Sequence, residues 1–152
     1  MNKKLKRYAD LKPTKPMLRV VYDTNVVVSA VLKSGSLPAS LLILALQGRV
    51  KLCVSHAVLE EYREVLNRPK FGLQPHAVNA LLQEIAQNSL LVNPTEHIPN
   101  PLDEKDSHLL ECAVAADAQY LVTGNIKHFP APQFRQTKIV TPAVFAVNFF
   151  AP

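Results

Sequence analysis

The sequence predicts one α/β domain whose central, mainly parallel β-sheet carries helices on both faces. From residue 17 onward, short aliphatic runs alternate with longer segments of helical periodicity, and no internal repeat interrupts this alternation. Strands separated by helices are joined by right-handed βαβ crossovers, which produce such a sheet. A chain of 152 residues can also bury a sufficient core without a disulfide or a structural metal.

Five short apolar runs predict buried strands, since each is three to five residues long and contains Val, Ile or Leu. They span residues 18–22, 51–54, 90–92, 120–123 and 138–140. We therefore expect a sheet of four to five strands. Ligands bind such sheets beyond the carboxyl ends of the strands, so the residues that follow each strand are the candidates for function.

Four segments between the strands predict helices, because each is long enough and its apolar residues recur at helical spacing. They span residues 38–47, 57–66, 75–88 and 105–116. A short final helix is expected after Pro142.

The positive charge of the chain is concentrated at its N-terminus. The net charge is +5, and residues 1–16 hold six basic side chains and one acidic side chain, so the whole excess lies there. We interpret residues 1–16 as a basic, flexible arm and residues 17–152 as the domain. The arm is either a solvated extension or a segment that follows a phosphate backbone.

Composition and spacing exclude several kinds of site. Cys53 and Cys112 lack the spacing of a redox pair or a zinc site and are expected to be small buried side chains in a reducing cytosol. The apolar stretch 37–46 is far shorter than the ~20 residues of a membrane helix, so we expect a cytoplasmic protein without a membrane partner. The histidines show neither HxH nor HxxxH spacing and are interpreted as surface or internally bonded residues; they are His56, His76, His97, His108 and His128.

Acidic residues stand at three positions where the fold predicts a crevice. Asp23 directly follows the first strand, where it is either a functional carboxylate or a turn residue or N-cap of a following helix. Glu61 lies at the margin of the apolar stripe of its helix, either as a site residue or as a charge whose stem packs on the core.

The third acidic position opens the helix predicted over residues 105–116. Asp103 is a natural N-cap, and acids in a first turn suit the helix dipole. Asp106, however, precedes Leu109 by three residues and Leu110 by four, which places it on the inward stripe. A buried carboxylate without a partner is costly there.

Three carboxylates in one crevice require a cation or protonation. At ~5 Å separation and an effective dielectric constant of ~20, each pair repels by ~3 kcal/mol. The total, on the order of 10 kcal/mol, is comparable with the stability of a whole domain. Oxygen ligands without a His or Cys cluster favour Mg²⁺ or Mn²⁺ over zinc.

These residues resemble those of the PIN-domain family, whose prokaryotic members include toxins of toxin–antitoxin pairs. The order, spacing and predicted setting of four segments agree over residues 17–145. The segments are residues 20–26 with Asp23-Thr24-Asn25, residues 55–62 with Glu61-Tyr62, residues 103–110 with Asp103 and Asp106, and residues 121–125 with Thr123-Gly124-Asn125.

The resemblance implies a PIN-like three-layer α/β/α fold and a Mg²⁺- or Mn²⁺-dependent nuclease, usually an endoribonuclease. Asp23, Glu61 and Asp106 would be the catalytic acids and metal ligands. The family's fourth acid is replaced by Asn125, which can still offer a carbonyl oxygen but removes one negative charge. Asp103 is a candidate to compensate for that loss.

Four further residues are assigned supporting or substrate-binding roles. Thr24 and Asn25 are expected to hold Asp23 in place, and Thr123 to contact the phosphate. Lys127, with the neighbouring His128, is a candidate for contacts to the nucleic-acid backbone, although a solvated loop charge is an equal alternative.

The expected reaction is hydrolysis of a phosphodiester bond in single-stranded or structured RNA, leaving a 5′-phosphate and a 3′-hydroxyl. The resemblance also implies an antitoxin protein as partner and dimerisation through helices. The apolar cluster Leu41, Leu42, Ile43 and Leu46 is either that surface or core.

Two other functions remain open. A phosphoryl-transfer domain of the haloacid dehalogenase or receiver type usually needs a DxD pair or a later lysine, whereas the first strand here ends in Asp-Thr-Asn. A module that binds RNA or an antitoxin without cutting is the second alternative, because Asn125 stands where the family prefers an acid.

Overall fold

The computed structural model describes residues 17–100, 103 and 106–150. The basic arm expected over residues 1–16 lies outside the described residues. So do residues 104–105, where the fourth helix is predicted to begin, and residues 151–152 at the end of the predicted domain.

Six strands form one sheet in the order β3-β2-β1-β4-β6-β5, and every pair is parallel except β5 with β6. The strands are β1 (Arg19–Tyr22), β2 (Lys51–Val54), β3 (Leu90–Leu91), β4 (Tyr120–Val122), β5 (Gln133–Phe134) and β6 (Thr137–Val140). The predicted mainly parallel sheet and its five strands are confirmed. The edge strand β5 was not predicted, because its two residues join β6 through a turn with no glycine, in which Arg135 takes a left-handed φ of 52°.

The described residues contain six α-helices. They are α1 (Thr24–Leu32), α2 (Leu37–Leu46), α3 (His56–Leu66), α4 (Pro75–Asn88), α5 (Ser107–Ala116) and α6 (Pro142–Phe150). The five predicted helices are present within two residues of their expected starts. Hydroxyl caps explain two of these starts, since Ser36 and Ser55 accept hydrogen bonds from the backbone N–H groups of Ala39 and Val58.

Helix α1 was anticipated only through the N-cap interpretation of Asp23. Its three consecutive valines, Val26 to Val28, have low intrinsic helix propensity and resemble a strand. In the fold all three are buried in the core, so packing overrides the local preference.

The helices cover both faces of the sheet. Helix α5 packs on β1, β2 and β4, while α2 and α6 pack on each other and α6 on β4 and β6. Two contacts show which strand side chains face α2 and α6: Tyr22 Oη donates to the Leu41 carbonyl at 2.9 Å, and the Tyr120 ring meets the Phe145 ring edge-on at 5.3 Å. Residues that alternate with these point toward α5.

The core is one cluster of buried apolar side chains that includes the free thiols Cys53 and Cys112. The expectation that both cysteines are small buried side chains is confirmed. Among the described helices, none is by itself long and apolar enough to cross a membrane, although α1 and α2 together, bent by 104°, meet a criterion of length and composition.

Candidate metal centre

The carboxyl ends of β1 and β4 place Asp23 beside Thr123. Tyr22 and Val122 are paired in register, so the residues that follow them are neighbours. Asp23 is only 7% exposed, and its Oδ2 accepts a hydrogen bond of 2.7 Å from the hydroxyl of the fully buried Thr123. The strand register therefore places Asp23 at the edge of the sheet, next to the hydroxyl of Thr123 that donates to it.

A relay of hydrogen bonds fixes the orientation of that donor. The backbone N–H of Asn125 donates to Thr123 Oγ1 at 3.0 Å, which leaves the hydroxyl proton of Thr123 for Asp23. Asn25 ties the same loop to α1, since its Oδ1 accepts from the N–H of Gly124 at 3.2 Å. The expected contact of Thr123 with a phosphate stays a prediction.

Burial and hydrogen bonding have opposite effects on the pKa of Asp23. Desolvation raises the pKa of its carboxyl above the ordinary value, while the Thr123 hydroxyl, the backbone N–H groups of Asn25 and Thr24, and the charge of His128 lower it. Thr24 and Asn25 thus support Asp23 through their backbones. The buried hydroxyl of Thr24 has no hydrogen-bond partner within the described part of the chain.

Asp106 is the second buried carboxylate of the site. It is 7% exposed and occupies the N-cap position of α5, but its side chain does not cap the helix. Its Oδ2 lies 3.2 Å from Nδ1 of His128. Burial, followed by the negative charges of Asp23 and Asp103, raises the pKa of Asp106 to about 7, against the lowering effect of His128.

The structure corrects the proposed N-cap role of Asp103. Helix α5 begins at Ser107, two residues later than predicted, so its N-cap is Asp106. The backbone carbonyl of Asp103 accepts a hydrogen bond from the N–H of Asp106 at 3.1 Å. The Asp103 carboxylate lies 3.5 Å from His128 Nδ1.

Asp103, Asp106 and His128 form a group that can hold a metal ion. One ligand atom from each lies within 4.8 Å of the others. Their carboxylate oxygens and imidazole nitrogen fit a divalent cation, and a cation would relieve the repulsion that raises the pKa of Asp106. Asp23 and Glu61 are outside this group among the described residues, although the charge of Asp23 acts on Asp106.

Sequence reasoning named His128 as a surface or internally bonded residue and, with Lys127, as a candidate for contacts to the nucleic-acid backbone, but it did not predict the contacts of His128 with the acids. Its ring is about half exposed, as a surface histidine would be, but it also contacts two carboxylates. The short 3₁₀ helix Ile126–His128 places it there, because one tight turn after Asn125 carries residue 128 back toward α5. The signal in the sequence is a histidine three residues after the position of the expected fourth acid.

Glu61 lies on α3, half-buried and next to the buried Tyr62. The Tyr62 hydroxyl donates a hydrogen bond to the carbonyl of Tyr22, which precedes Asp23. Burial raises the pKa of Tyr62 most, and the charges of Cys112, Asp23, Tyr22 and Glu61 add to this effect. Both acids therefore act on one tyrosine, and the role of Glu61 as a metal ligand stays a prediction.

Asn125 and Lys127 are exposed on the loop that follows β4. The backbone N–H of Asn125 donates to Thr123, as described. Lys127 lies in the 3₁₀ helix, directly before His128. Their assignments, Asn125 to the metal and Lys127 to the substrate backbone, stay predictions.

Comparison with models of protein families identifies a family that this chain matches. A family model described as PIN domain matches residues 19–127, from β1 to the loop that carries His128. A search of curated proteins finds no match. The matched region contains Asp23, Glu61, Asp103 and Asp106.

Proposed function

The chain belongs to the PIN-domain family, and on this premise we propose that it is a divalent-metal-dependent nuclease that hydrolyses phosphodiester bonds in RNA. One observation carries the proposal: the buried Asp106 lies within ligand distance of Asp103 and His128 while the charge of Asp23 acts on it. Burial and mutual repulsion make such a cluster of acids costly for the fold unless a cation or a proton neutralises it.

The metal, when bound, supplies a Lewis acid for a phosphate oxygen and lowers the pKa of a bound water. Asp23, Glu61 and Asp106 hold the cation in this proposal, with Asp103, which lies before α5, as a further ligand. Thr123 keeps Asp23 oriented by its hydrogen bond. A carboxylate oxygen of Asp106 or Glu61 orients the attacking water for an in-line displacement that leaves a 5′-phosphate and a 3′-hydroxyl.

RNA as the substrate is supported by basic residues before the matched region and at its last position. Residues 1–16 hold six basic side chains, and Lys127 is exposed on the loop next to the acids. Basic side chains contact phosphates irrespective of sequence, so they favour a single-stranded or structured nucleic acid without specifying which one.

The proposed biological role is that of a cytoplasmic toxin whose antitoxin covers the acidic crevice. Self-association through α2 is the proposed second contact. Leu41 and Leu42 are buried core residues, and only Ile43 of their cluster, at 51% exposure, presents a large apolar surface. A homodimer would thus use Ile43 and not the whole predicted cluster.

A second candidate function is a module that binds RNA or an antitoxin without cutting. Asn125 favours it, because this exposed residue stands where the family prefers a fourth acid. Loss of that carboxylate reduces the negative charge available to a cation.

Cleavage of RNA by the purified protein decides between the two candidates. A nuclease should cut a 5′-labelled single-stranded RNA in the presence of Mn²⁺, and EDTA should abolish the cuts. Asp23→Asn should lower the rate by at least 100-fold while RNA binding persists. Glu84→Gln, on an exposed position of α4, is the matched control and should cut like the wild type.

Two results would contradict the proposed nuclease. Equal cutting by Asp23→Asn would identify a contaminating nuclease. RNA binding without any cut, with Mg²⁺ or Mn²⁺, would favour the binding module.

A further inference from the structure

The backbone of His128 is fixed from three directions. Its N–H donates to the Asn125 carbonyl at 3.0 Å, and its carbonyl accepts a 3.0 Å hydrogen bond from Nδ2 of the buried Asn100. The next side chain, Phe129, is buried at 5% exposure. The ring of His128 thus starts from an anchored backbone, as a ligand must if its position is to be pre-organised.

The ring presents one atom to the acids. Nδ1 lies 3.2 Å from Asp106 Oδ2 and 3.5 Å from Asp103 Oδ2. The exposed fraction of the side chain increases from 9% for Asp106 to 32% for Asp103 and 45% for His128. The group therefore extends from the interior to the surface, where an ion has access from solvent.

We propose that His128 is a nitrogen ligand of the divalent metal, supplied by the loop on which Asn125 replaces the expected acid. This inference rests on the proposed function, since it concerns the same metal. His128 follows Asn125 by three residues, and the 3₁₀ turn between them brings its ring to Asp103 and Asp106. The loop retains a donor for the cation, but a neutral nitrogen instead of an anionic oxygen.

The change of donor alters which metal the site prefers. Mg²⁺ takes oxygen ligands almost exclusively, whereas imidazole nitrogen binds first-row transition metals. The site should therefore prefer Mn²⁺ to Mg²⁺ by a margin that depends on His128.

A role as a mere counter-ion makes the opposite prediction. If His128 only neutralised Asp103 and Asp106, it would compete with the cation. Its removal would then leave Mn²⁺ affinity unchanged or raise it. A ligand role requires that its removal weaken the binding.

The test measures metal binding to the full chain without substrate. Calorimetric titrations with MnCl₂ and with MgCl₂ give the two affinities, and pulsed EPR of bound Mn²⁺ reports directly coordinated ¹⁴N. We expect a ¹⁴N coupling in the wild type that His128→Ala abolishes. We also expect His128→Ala to weaken Mn²⁺ binding on the order of tenfold or more and to change Mg²⁺ binding much less.

Two further variants keep the test interpretable. His108→Ala is the matched control, because His108 is exposed on α5 and faces Glu111 at 3.8 Å; it should behave like the wild type. His128→Asp should bind metal without ¹⁴N coupling and shift the preference toward Mg²⁺. Circular dichroism of each metal-free variant checks that it is folded.

The possible failures are distinguishable. Mn²⁺ bound by the wild type without ¹⁴N coupling, or bound by His128→Ala as tightly as by the wild type, would overturn the nitrogen ligand and leave the proposed nuclease standing. A wild type that binds neither metal would overturn both.

Discussion

The buried carboxyl of Asp106 makes the metal-free fold less stable at neutral pH. Its carboxyl is buried beside two other acids, and its pKa is raised to about 7 from an ordinary 3.8. Between these two pH values the folded protein holds a proton that the unfolded chain has lost. Stability therefore decreases as the pH rises from about 4 through 7.

Asp106→Asn should remove this pH dependence. We expect the variant, in EDTA at pH 8, to be more stable than the wild type by about 1–2 kcal/mol, less than the full shift implies because the contact with His128 also changes. Below pH 4 the difference should vanish, since the wild-type carboxyl is then protonated in both states. Urea unfolding at both pH values measures this, and a variant less stable at pH 8 would contradict the electrostatic account.

At the scale of elements, the site depends on the ends of two neighbouring strands. Thr123 at the end of β4 donates to Asp23 at the end of β1, and the loop after β4 donates back to Thr123. Asn25 on α1 accepts from the same loop. The register between β1 and β4 thus sets the position of Thr123 relative to the carboxylate of Asp23.

Thr123→Val tests this coupling, because it keeps the shape of the side chain and removes the hydroxyl. We expect a loss of about 1–3 kcal/mol in stability, since a buried carboxylate and a backbone N–H each lose a partner. Cleavage and Mn²⁺ affinity should each fall at least tenfold. Both are measured on the same preparation.

The matched control for Thr123→Val is Thr137→Val. Thr137 is also a buried threonine of the sheet, but its hydroxyl donates to the Ala118 carbonyl at 2.7 Å, away from the acids. It should lose stability and keep its metal affinity. Equal loss of affinity in both variants would show that Thr123 acts only through general stability.

For the molecule as a whole, the proposed site would link metal binding to folding. The proposed ligands are far apart in the sequence and come together only in the folded state: Asp23 follows β1, Glu61 lies on α3, and Asp103 and Asp106 precede α5. A cation that binds the folded state alone stabilises it by RT ln(1 + [M]/Kd), about 3 kcal/mol at one hundred times Kd.

Thermal unfolding with and without metal tests the linkage. We expect saturating Mn²⁺ to raise the Tm of the wild type on the order of 5–10 °C. Asp23→Asn and Asp106→Asn should lose most of this shift, while Glu84→Gln should keep it. A shift of the same size in all four proteins, or with KCl at equal ionic strength, would indicate nonspecific screening.

The amino-acid sequence by itself determined the layers of this molecule and the edge on which its acids lie. Aliphatic runs separated by helical segments admit few topologies, and a parallel sheet brings the residues after its strands to one edge. Asp23 and Asp106 are thus found from local pattern alone, because one follows a strand and the other opens an inward-facing helix stripe.

Only the tertiary structure decided which side chains complete the site. The start of α5 at Ser107 made Asp106 the N-cap in place of Asp103, the burial of three valines made α1 a helix, and a 3₁₀ turn brought His128 to the acids. The burial of the valines and the contacts of His128 with Asp106 and Asn100 depend on residues far apart in the chain. Local propensities differ by less than such contacts contribute, so no spacing rule can anticipate them.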